Sequence, residues 1–588
     1  MNKKSGGAEM GYINTFNEWL SKVNPDEREE LNRIKSDDKE IKERFSCPLE
    51  FGTAGMRGII GTGIFRMNVY TVRRATLGLG LYIGSLGAKA RESGVVIAYD
   101  TRRFSFEFAL EAAKVLAANG INAYLYEDVR PVPICSFAIR HLGASAGIMI
   151  TASHNPKEYN GYKVYGADGA QMSPEATAEV VKYIDAIKDY FEIKTEKVNI
   201  SHSEIKGKDG VLIAPQIKVI GESVDKEYYD TIYSQCLSLD AVERERANIK
   251  IVYTPLHGAG YKPVMRILDR MGLPVKVVSA QVAPDPDFST VSAPNPENAD
   301  ALKLAIELAL EENMDVVIGT DPDSDRMGAA LREGDEFLIL NGNQIGALLM
   351  DYILSRKSGK GILPDNAAVV KTIVTTSLAA KIANSYGVKI YDVLTGFKFI
   401  GEKIKEWEQD GTHTFIFGYE ESFGYLAGTH SRDKDAVVSS MLFAEMVAYN
   451  MSIGSSVAKR LKELYEKFGY YYEKNIAITY QGLDGMTRMN EIMTSLRNTE
   501  FDTIAGLKVE FFSDYLSSVT LYPDGGKTEI LLPKSNVLYY GLTGGDWVCV
   551  RPSGTEPKLK VYVSACAKSR QSALNKADKI IEFMKARL

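Results

Sequence analysis

The chain has 588 residues, 45% of them hydrophobic, and this length exceeds what one hydrophobic core supports, so we expect several domains. A net charge of −6 gives no general attraction for nucleic acid or for an anionic membrane, and no apolar run is long enough to cross a bilayer. The five cysteines and six histidines are scattered, which argues against a disulfide framework and a histidine-rich zinc site. We therefore expect a cytoplasmic protein that binds neither nucleic acid nor membrane.

Short apolar runs alternate with helical periods from Val95 onward. The order is strand, helix, strand, helix, strand, and it ends with the strand inside GIMITASHNP at 147–156. The same order returns at 249–321 and again at 367–422. Alternation of this kind is typical of parallel sheets with crossover helices, so the sequence predicts three similar α/β domains.

The last part of the chain has a different pattern. Several strand-like runs and a helical stretch precede a C-terminal amphipathic helix, and the loop RPSGTEPK lies between two apolar strands. This pattern predicts a fourth domain of the α+β class. With boundaries near residues 210, 340 and 466, the predicted domains are 1–210, 211–340, 341–466 and 467–588.

Each repeated segment ends in a polar loop directly after its third strand. The first loop is ASHNP with Ser153 at its centre, the second is DPDSDR and the third is EES. Ligands gather outside the carboxyl ends of strands in parallel α/β sheets. We therefore expect the three loops to contribute to one site.

The loop DPDSDR predicts a cation site, because Asp321, Asp323 and Asp325 would repel one another without one. Oxygen ligands favour Mg²⁺ or Ca²⁺ over zinc. A solvated acidic turn is the simpler alternative. An EF-hand is excluded, since Arg326 and Arg332 occupy the positions of its glycine and glutamate. A dehalogenase-like phosphotransferase with Asp321 as nucleophile ranks low, because Asp325 stands where that family has Thr or Val.

Candidate binding groups also lie in the EES loop itself and in three further loops. A guanidinium, two hydroxyls and a flexible backbone make RPSGTEP a candidate phosphate cradle, although an ordinary β-turn is the alternative. GYEES offers acceptors for sugar hydroxyls. HSRDKD contains a lysine that could transfer a proton or stabilise charge, and FGTAGMRG contains an arginine in a glycine-rich turn. Alone, each also fits a solvated loop. The residues are Arg551, Ser553, Gly554, Thr555, Glu420, Ser422, Lys434 and Arg57.

TASHNP, DPDSDR, GYEES and RPSGTEP, in this order over most of the chain, resemble the α-D-phosphohexomutase family. The FGTAGMRG stretch resembles that family's phosphoglucomutase branch. The resemblance implies four domains around a central cleft, the first three sharing an α/β core. It also implies an active serine that carries a phosphoryl group.

Mapped onto this chain, the resemblance implies that Ser153 is the phosphoserine and that Mg²⁺ is held by a Ser153 phosphoryl oxygen with Asp321, Asp323 and Asp325. The sugar-binding loop carries Glu420 and Ser422, and the phosphate-binding loop runs from Arg551 to Thr555. Further positions near the reacting groups or the sugar are Arg57, His154, Lys163, Arg326, Lys434, Thr395, Gly396 and Lys398.

The activity implied is the interconversion of glucose 1-phosphate and glucose 6-phosphate through a phosphoserine enzyme, with Mg²⁺ as cofactor and glucose 1,6-bisphosphate as intermediate and activator. Mannose or pentose phosphates are alternative substrates by the same mechanism. A non-catalytic regulator that binds a phosphosugar is an alternative of another class. The sequence leaves the oligomeric state open between monomer and dimer.

Overall fold

A computed structural model describes residues 11–52, 55–480, 485–553 and 558–588. The chain divides into two compact units. The first comprises Met1–Leu340, Gly401–Gln409 and Gly424–Ala448, and the second comprises Asn341–Ile400, Asp410–Phe423 and Tyr449–Leu588.

The first sheet of the first unit has seven strands in the order β1-β5-β4-β2-β3-β7-β6. Its centre is parallel, with β2 between β4 and β3, while β1, β5 and β6 run antiparallel to their neighbours. Both β2 and β4 are buried along their whole length, as expected of central strands covered on both faces. The strands are β1 Met56–Ile59, β2 Val95–Tyr99, β3 Ala123–Tyr126, β4 Ala146–Ile150, β5 Tyr159–Gly166, β6 Leu212–Ala214 and β7 Ile217–Ile220.

The second sheet of this unit has the order β12-β11-β10-β8-β9. Here β10, β8 and β9 are parallel, and β11 and β12 return antiparallel. The strands are β8 Ile251–Thr254, β9 Val275–Val277, β10 Val316–Thr320, β11 Met327–Glu333 and β12 Glu336–Leu340.

Helices of the first unit connect and flank these sheets. An aromatic cluster around the buried Trp19 anchors the N-terminal helices, and Asn24 forms a capping box with Glu27 at the start of the second of them. The α-helices are Gly11–Lys22, Pro25–Arg33, Asp38–Phe45, Val69–Ser85, Ala88–Ser93, Ser105–Ala118, Val132–Leu142, Pro174–Ala186, His202–Ile205, Glu222–Tyr233, Leu239–Glu245, Tyr261–Arg270 and Lys303–Glu311, with 3-10 turns at Ser279–Gln281 and Ala299–Leu302.

In the second unit, β14, β13 and β15 pair in parallel in that order. They are β13 Ala367–Thr372, β14 Lys389–Val393 and β15 Thr414–Glu420, and the following strand, β16 Gly424–Ala427, belongs to the first unit. Helices of the second unit are Gly342–Gly359, Leu378–Ser385, Val457–Phe468, Gly485–Asn498 and Arg570–Lys585, while Phe397–Asp410 and Ala436–Ser452 carry residues of both units.

The C-terminal sheet has the order β17-β24-β23-β22-β19-β20-β21, with β18 paired to β19, and its described pairs are antiparallel. The helix Arg570–Lys585 packs on it through Ala577, Ile580 and Ile581. The strands are β17 Tyr470–Thr479, β18 Thr503–Ile504, β19 Leu507–Asp514, β20 Val519–Leu521, β21 Lys527–Glu529, β22 Leu538–Leu542, β23 Asp546–Pro552 and β24 Lys558–Ala567.

The predicted fold class is confirmed. In each of the three repeated segments the first strand lies between the third and the second, and all three are parallel, so β4-β2-β3, β10-β8-β9 and β15-β13-β14 are equivalent. The antiparallel strands that follow β4 and β10 were not predicted, because a short strand beyond a polar loop has little periodicity of its own. The domain boundaries stay predictions.

Among the described residues, no single helix combines the length and the apolar composition needed to cross a membrane. The successive helices Ala436–Ser452 and Val457–Phe468 meet those criteria only when taken together.

Candidate active site

Ser153 lies in the loop directly after β4 and is buried. Its hydroxyl donates to Asp321 Oδ2 at 3.0 Å and lies 3.2 Å from His154 Nδ1. Its backbone has φ of +54°, a left-handed conformation that is costly for a residue other than glycine. Thr151 Oγ1 accepts from the Ser153 amide at 2.8 Å and so helps to hold this conformation.

The guanidinium of Arg102 holds the serine loop from the side of β2. It donates to the backbone carbonyls of Ser153, Asn155, Pro156 and Tyr159 at 2.5, 2.6, 2.9 and 3.1 Å. The side chain is fully buried and forms an ion pair with Asp100 at 3.3 Å. One rigid donor fork therefore fixes four carbonyls of the loop that carries the serine.

Asp321, Asp323 and Asp325 cluster in the loop after β10 and are all buried. One carboxylate oxygen from each lies within 4.8 Å of the others. Asp321 Oδ1 accepts from the amides of Asp325 and Arg326, at 3.1 and 3.0 Å. Ser324 has φ of +48°, which lets the loop turn tightly enough to point its three carboxylates inward.

The chemistry of this cluster fits a hard divalent cation. Among the described residues, Asp323 Oδ1 and Asp325 Oδ1 are buried and have no hydrogen-bond partner. Burial and the charges of Asp323 and Asp325 raise the pKa of Asp321 well above its usual range. Unpartnered carboxylate oxygens that repel one another are the ligands that Mg²⁺ or Ca²⁺ takes.

The neighbouring loop after β8 approaches the aspartate loop closely. A Cβ atom on Gly258 would lie 2.4 Å from the Cα of Pro322, so this position requires glycine. The amide of Ala259 donates to the carbonyl of Pro322 at 2.8 Å.

Two buried lysines face the aspartates. Lys163 Nζ lies 2.8 Å from Asp323 Oδ2 and 3.4 Å from Asp325 Oδ2, and Lys434 Nζ lies 3.2 Å from Asp325 Oδ2. Burial raises the pKa of Asp325, but the charges of Lys434 and Lys163 outweigh it and hold that pKa well below its usual range. Lys434 also bonds Asp433 at 3.1 Å. These contacts favour the protonated form of both lysines.

The other predicted residues of the first unit lie in the same neighbourhood. Arg57 donates to the Asn155 side chain at 3.0 Å, and Arg326 donates to Glu297 at 3.2 Å. Burial, together with the charges of Arg326 and Arg57, lowers the pKa of His154 well below its usual range. His154 is thus held neutral beside the Ser153 hydroxyl.

The second unit brings together predicted residues from three stretches of the chain. Glu420 Oε1 accepts from the amide of Gly396 at 2.8 Å, and Arg551 donates to the hydroxyl of Thr395. Within the described residues, Arg551 Nε is buried without a hydrogen-bond partner. A guanidinium donor with no partner among those residues therefore lies in a side chain that bonds Thr395.

Three more predicted residues lie in these loops. Ser422 is half-buried, Lys398 Nζ lies 4.8 Å from the centre of the Phe399 ring, and the amide of Ser553 donates to the carbonyl of Lys558 at 2.7 Å. Gly554 and Thr555 lie outside the described residues.

Sequence reasoning missed Thr151, Arg102 and Glu421. Glu421, in the loop after β15, accepts from the hydroxyls of Thr372 and Thr375 at 3.1 and 3.4 Å. These bonds support the loop after β15, as the bonds of Arg102 support the serine loop. In each repeat the loop after the first strand therefore supports the loop after the third strand. The strand order could have predicted this, because adjacent parallel strands end at one edge.

Four family profiles match the chain in order. Their descriptions are phosphoglucomutase/phosphomannomutase alpha/beta/alpha domains I, II and III and the C-terminal domain of the same family. They match residues 48–191, 226–334, 341–468 and 531–581.

The chain is also similar to named proteins. Phosphoglucomutase of Staphylococcus aureus strain USA300 is 37% identical over 551 residues, covering 93% of this chain and 94% of that protein. Phosphoglucomutase of Staphylococcus haemolyticus is 38% identical over 523 residues, covering 88% of this chain and 91% of that protein.

Solved structures share the fold. The pp63/parafusin phosphoprotein of Paramecium has a TM-score of 0.66 at 18% identity, covering 92% of this chain and 95% of that one. A phosphoglucomutase/phosphomannomutase family protein of Burkholderia thailandensis has a TM-score of 0.64 at 17% identity, covering 91% and 97% of the two chains.

Proposed function

This chain belongs to the phosphoglucomutase/phosphomannomutase family, and from that membership we propose that it interconverts glucose 1-phosphate and glucose 6-phosphate. The observation that carries the proposal is the Ser153 hydroxyl, which bonds to a buried cluster of three aspartates. Glucose is favoured as the sugar because the relatives at 37 and 38% identity are named phosphoglucomutase.

In the proposed cycle, phosphorylated Ser153 transfers its phosphoryl group to a hydroxyl of the sugar phosphate. The Ser153 oxygen is the leaving group, the sugar oxygen forms the new bond, and glucose 1,6-bisphosphate results. After the bisphosphate turns over, the Ser153 hydroxyl attacks its other phosphoryl group, which regenerates the phosphoserine and releases the isomeric product. Phosphoryl transfer of this kind depends on positioning and charge stabilisation more than on covalent chemistry.

We propose that Asp321, Asp323 and Asp325 hold Mg²⁺ together with a Ser153 phosphoryl oxygen. When bound, Mg²⁺ supplies Lewis-acid stabilisation of charge on the phosphoryl oxygens. The amides of Asp325 and Arg326 donate to Asp321, and the amide of Ser153 donates to Thr151 Oγ1, so these bonds orient the aspartate loop and the serine.

The cationic side chains are assigned to charge stabilisation. Lys163 and Lys434 each bond carboxylates of the aspartate loop, so they carry positive charge to the place where the phosphoryl group would lie. Lys434 remains the predicted acceptor of the sugar hydroxyl's proton, and in that role it must first lose the proton that Asp325 and Asp433 stabilise. His154 Nδ1 lies 3.2 Å from Ser153 Oγ, within reach of the proton that the serine hydroxyl releases.

The second unit is assigned to recognition of the substrate. We assign Glu420 and Ser422 to the sugar hydroxyls, with Thr395, Gly396 and Lys398 beside them, and the loop from Arg551 to Thr555 to the phosphate that is not being transferred. Arg551 Nε, which is buried and has no hydrogen-bond partner among the described residues, supports this assignment. Arg57 and Arg326 are assigned to the transferring phosphoryl group.

Replacing the nucleophile tests the proposal. Ser153→Ala removes the only oxygen of that side chain, so we expect mutase turnover to fall by about 10³-fold or more. Intact-mass measurement of the purified protein should show a phosphate that peptide mapping places on Ser153. Ser145→Ala, at a half-buried serine that donates to the Ala90 carbonyl, serves as control and should leave turnover unchanged.

Turnover at wild-type rate in Ser153→Ala would contradict the proposal. A protein that carries no phosphate and binds phosphosugars without converting them would instead support the regulator alternative. Assays with glucose 1-phosphate, mannose 1-phosphate and ribose 1-phosphate in parallel decide the sugar.

A further inference from the structure

A pocket of about 350 Å³ opens in the first unit, and none of its lining residues is assigned to the proposed reaction. The helix Val132–Leu142 contributes Arg140 and His141 to its wall. Thr231 and Gln235 line a second side, and Thr429 and His430, which follow β16, line the third. The volume lies within the range of about 300 to 1,000 Å³ that small-molecule sites occupy.

One lining residue, His430, carries a polar atom that has no hydrogen-bond partner among the described residues. His430 is only 6% exposed, and its Nε2 lies 2.7 Å from Asp435 Oδ2. Because a carboxylate oxygen can only accept, Nε2 carries the proton, and Nδ1 is a lone-pair acceptor when the imidazole is neutral. Nδ1 is buried and has no partner among the described residues, which is a costly state. A ligand hydroxyl would satisfy it.

Two guanidinium groups lie at the pocket, that of Arg140 in its lining and that of Arg432 beside the lining residue Thr429. Both donate to the carbonyl of Thr429, and both lie beside the carboxylate of Glu408. Burial and the charge of Arg432 lower the pKa of Arg140, and the charges of Glu408 and Asp168 oppose this shift. An anion in the pocket would be a further counter-charge for Arg140.

We propose that this pocket binds a small hydroxylated anion, either a hydroxy acid or a phosphorylated polyol. The anionic group bonds Arg140, whose side chain is 31% exposed and reachable from solvent. A hydroxyl of the ligand donates to His430 Nδ1, and the amide of Gln235 bonds a second oxygen. A ligand that carries both groups satisfies the His430 nitrogen and adds a counter-charge at Arg140.

A ligand in this pocket would act on the segment that carries Lys434. The partner of His430, Asp435, accepts from the amides of Val437 and Val438 at 2.8 and 3.0 Å and so caps the next helix. The amide of Ala436 donates to the carbonyl of Ser324 in the aspartate loop. Binding at His430 should therefore fix this segment. An effect of the ligand on mutase turnover would follow, and this part of the inference rests on the proposed function.

Isothermal titration of the full chain tests binding without reference to activity. The probes are L-malate and glycerol 3-phosphate, with inorganic phosphate as the probe that has no carbon-bound hydroxyl. We expect either L-malate or glycerol 3-phosphate to bind more tightly than inorganic phosphate. Which of the two does so shows whether the pocket prefers a carboxylate or a phosphate ester. In Arg140→Gln and in Gln235→Leu the dissociation constant of that probe should rise by about ten-fold, the effect of one lost hydrogen bond to a charged or polar group.

Two controls separate this pocket from other sites. Arg244→Gln changes an exposed arginine, paired with Asp240 on its own helix, and should leave the affinity unchanged. Arg551→Ala should also leave it unchanged, whereas loss of binding in that variant would place the probe at the proposed substrate site and overturn the inference. The inference also fails if neither hydroxylated probe binds, or if both pocket variants bind as the wild type does.

His141→Ala covers the case in which Arg140→Gln fails to fold. His141 is exposed at the rim and its ring stacks on Phe137, so its removal leaves the interior intact. A weaker affinity in His141→Ala and Gln235→Leu supports the pocket, and an unchanged affinity in both contradicts it. Since binding is read as heat, a protein without mutase activity would still report on this site.

Discussion

At the scale of single residues, a serine held in an unfavourable backbone conformation depends on side chains that do not react. Ser153 has φ of +54°, and such a conformation costs about 1 to 3 kcal/mol unless its surroundings determine it. Arg102 supplies four hydrogen bonds to the loop, and its guanidinium lies 4.9 Å from the ring of Phe288. Arg102 therefore acts as a positioning residue for Ser153.

We expect Arg102→Lys to lower kcat about 10- to 100-fold with little change in KM. A lysine keeps the charge near Asp100 but cannot reach four carbonyls at once, and each lost charged hydrogen bond is worth about 1.5 to 3 kcal/mol. Steady-state kinetics gives the two constants, and thermal unfolding shows how much of the variant is folded.

The matched control is Arg103→Lys, since the neighbouring Arg103 is 54% exposed and pairs with Asp287 at the surface. That variant should keep wild-type kcat. A purely structural role for Arg102 would lower the unfolding temperature of Arg102→Lys and leave kcat per folded molecule unchanged, which would contradict the positioning role.

At the scale of elements, one rule repeats in the three α/β segments. The first strand lies beside the third, so the loops at their carboxyl ends are neighbours. Arg102 bonds the serine loop, Ala259 bonds the aspartate loop, and Thr372 bonds the loop with Glu421. Each candidate loop is thus supported by its own sheet, which explains why loops rich in polar residues can hold fixed geometries.

Glu473 of β17, which lies beside the loop after β13, has an unusually high pKa. Burial raises the pKa of Glu473 to about 7, although hydrogen bonds from Thr376 and Ser564 and the charge of Lys371 oppose the rise. The folded protein therefore holds a proton on this group between about pH 4.5 and 7, where the unfolded chain has released it. Stability should fall as the pH rises through this window.

We expect Glu473→Gln to remove this part of the pH dependence. A neutral amide keeps the shape of the side chain without a charge to bury, so the unfolding midpoint in urea should change less between pH 5 and 7.5 than in the wild type. Glu510→Gln, at an exposed position on β19, provides the control. Parallel curves for wild type and Glu473→Gln would contradict the expectation.

At the scale of the whole molecule, the candidate functional residues are divided between the two units. The serine, the three aspartates and both lysines belong to the first unit, and the sugar-binding and phosphate-binding loops belong to the second. The first unit contains buried carboxylates that repel one another. The second contains an apolar cluster in which Ile373 and Leu394, the residues directly after β13 and β14, pack with Trp547 of the C-terminal sheet. Their stabilities should therefore respond differently to divalent cations.

We expect Mg²⁺ to raise the unfolding temperature of the first unit by a few degrees, because saturation at 100 times the dissociation constant adds about 2.7 kcal/mol. Asp323→Asn should abolish the shift, since the cluster loses one of its three carboxylate ligands. Differential scanning calorimetry with and without Mg²⁺ measures both effects.

The control for this measurement is Asp315→Asn, an exposed aspartate just before β10. It should respond to Mg²⁺ as the wild type does. A wild-type protein whose unfolding is insensitive to millimolar Mg²⁺ would contradict the proposed cation site.

Much of the fold was predictable because its signals are local. Apolar runs and helical periods predicted the repeated α/β segments. The amino-acid composition of the loops after β4, β10 and β15 indicated which groups they bind. The antiparallel strands β5 and β11 were not predictable from periodicity. Arg102 was missed because an arginine in DTRR has no local feature that distinguishes it from the exposed Arg103 beside it.

The sequence by itself determined the fold class, the family and the groups that can react, since these depend on residue type, order and spacing. Tertiary structure decided which groups meet. It placed Ser153 against Asp321 and Lys434 against Asp325, and among the described residues it left the buried His430 Nδ1 without a hydrogen-bond partner. Those outcomes depend on contacts between residues more than 100 positions apart or on burial, and neither the hydrogen-bond partner nor the local dielectric of a side chain is written in its neighbours along the chain.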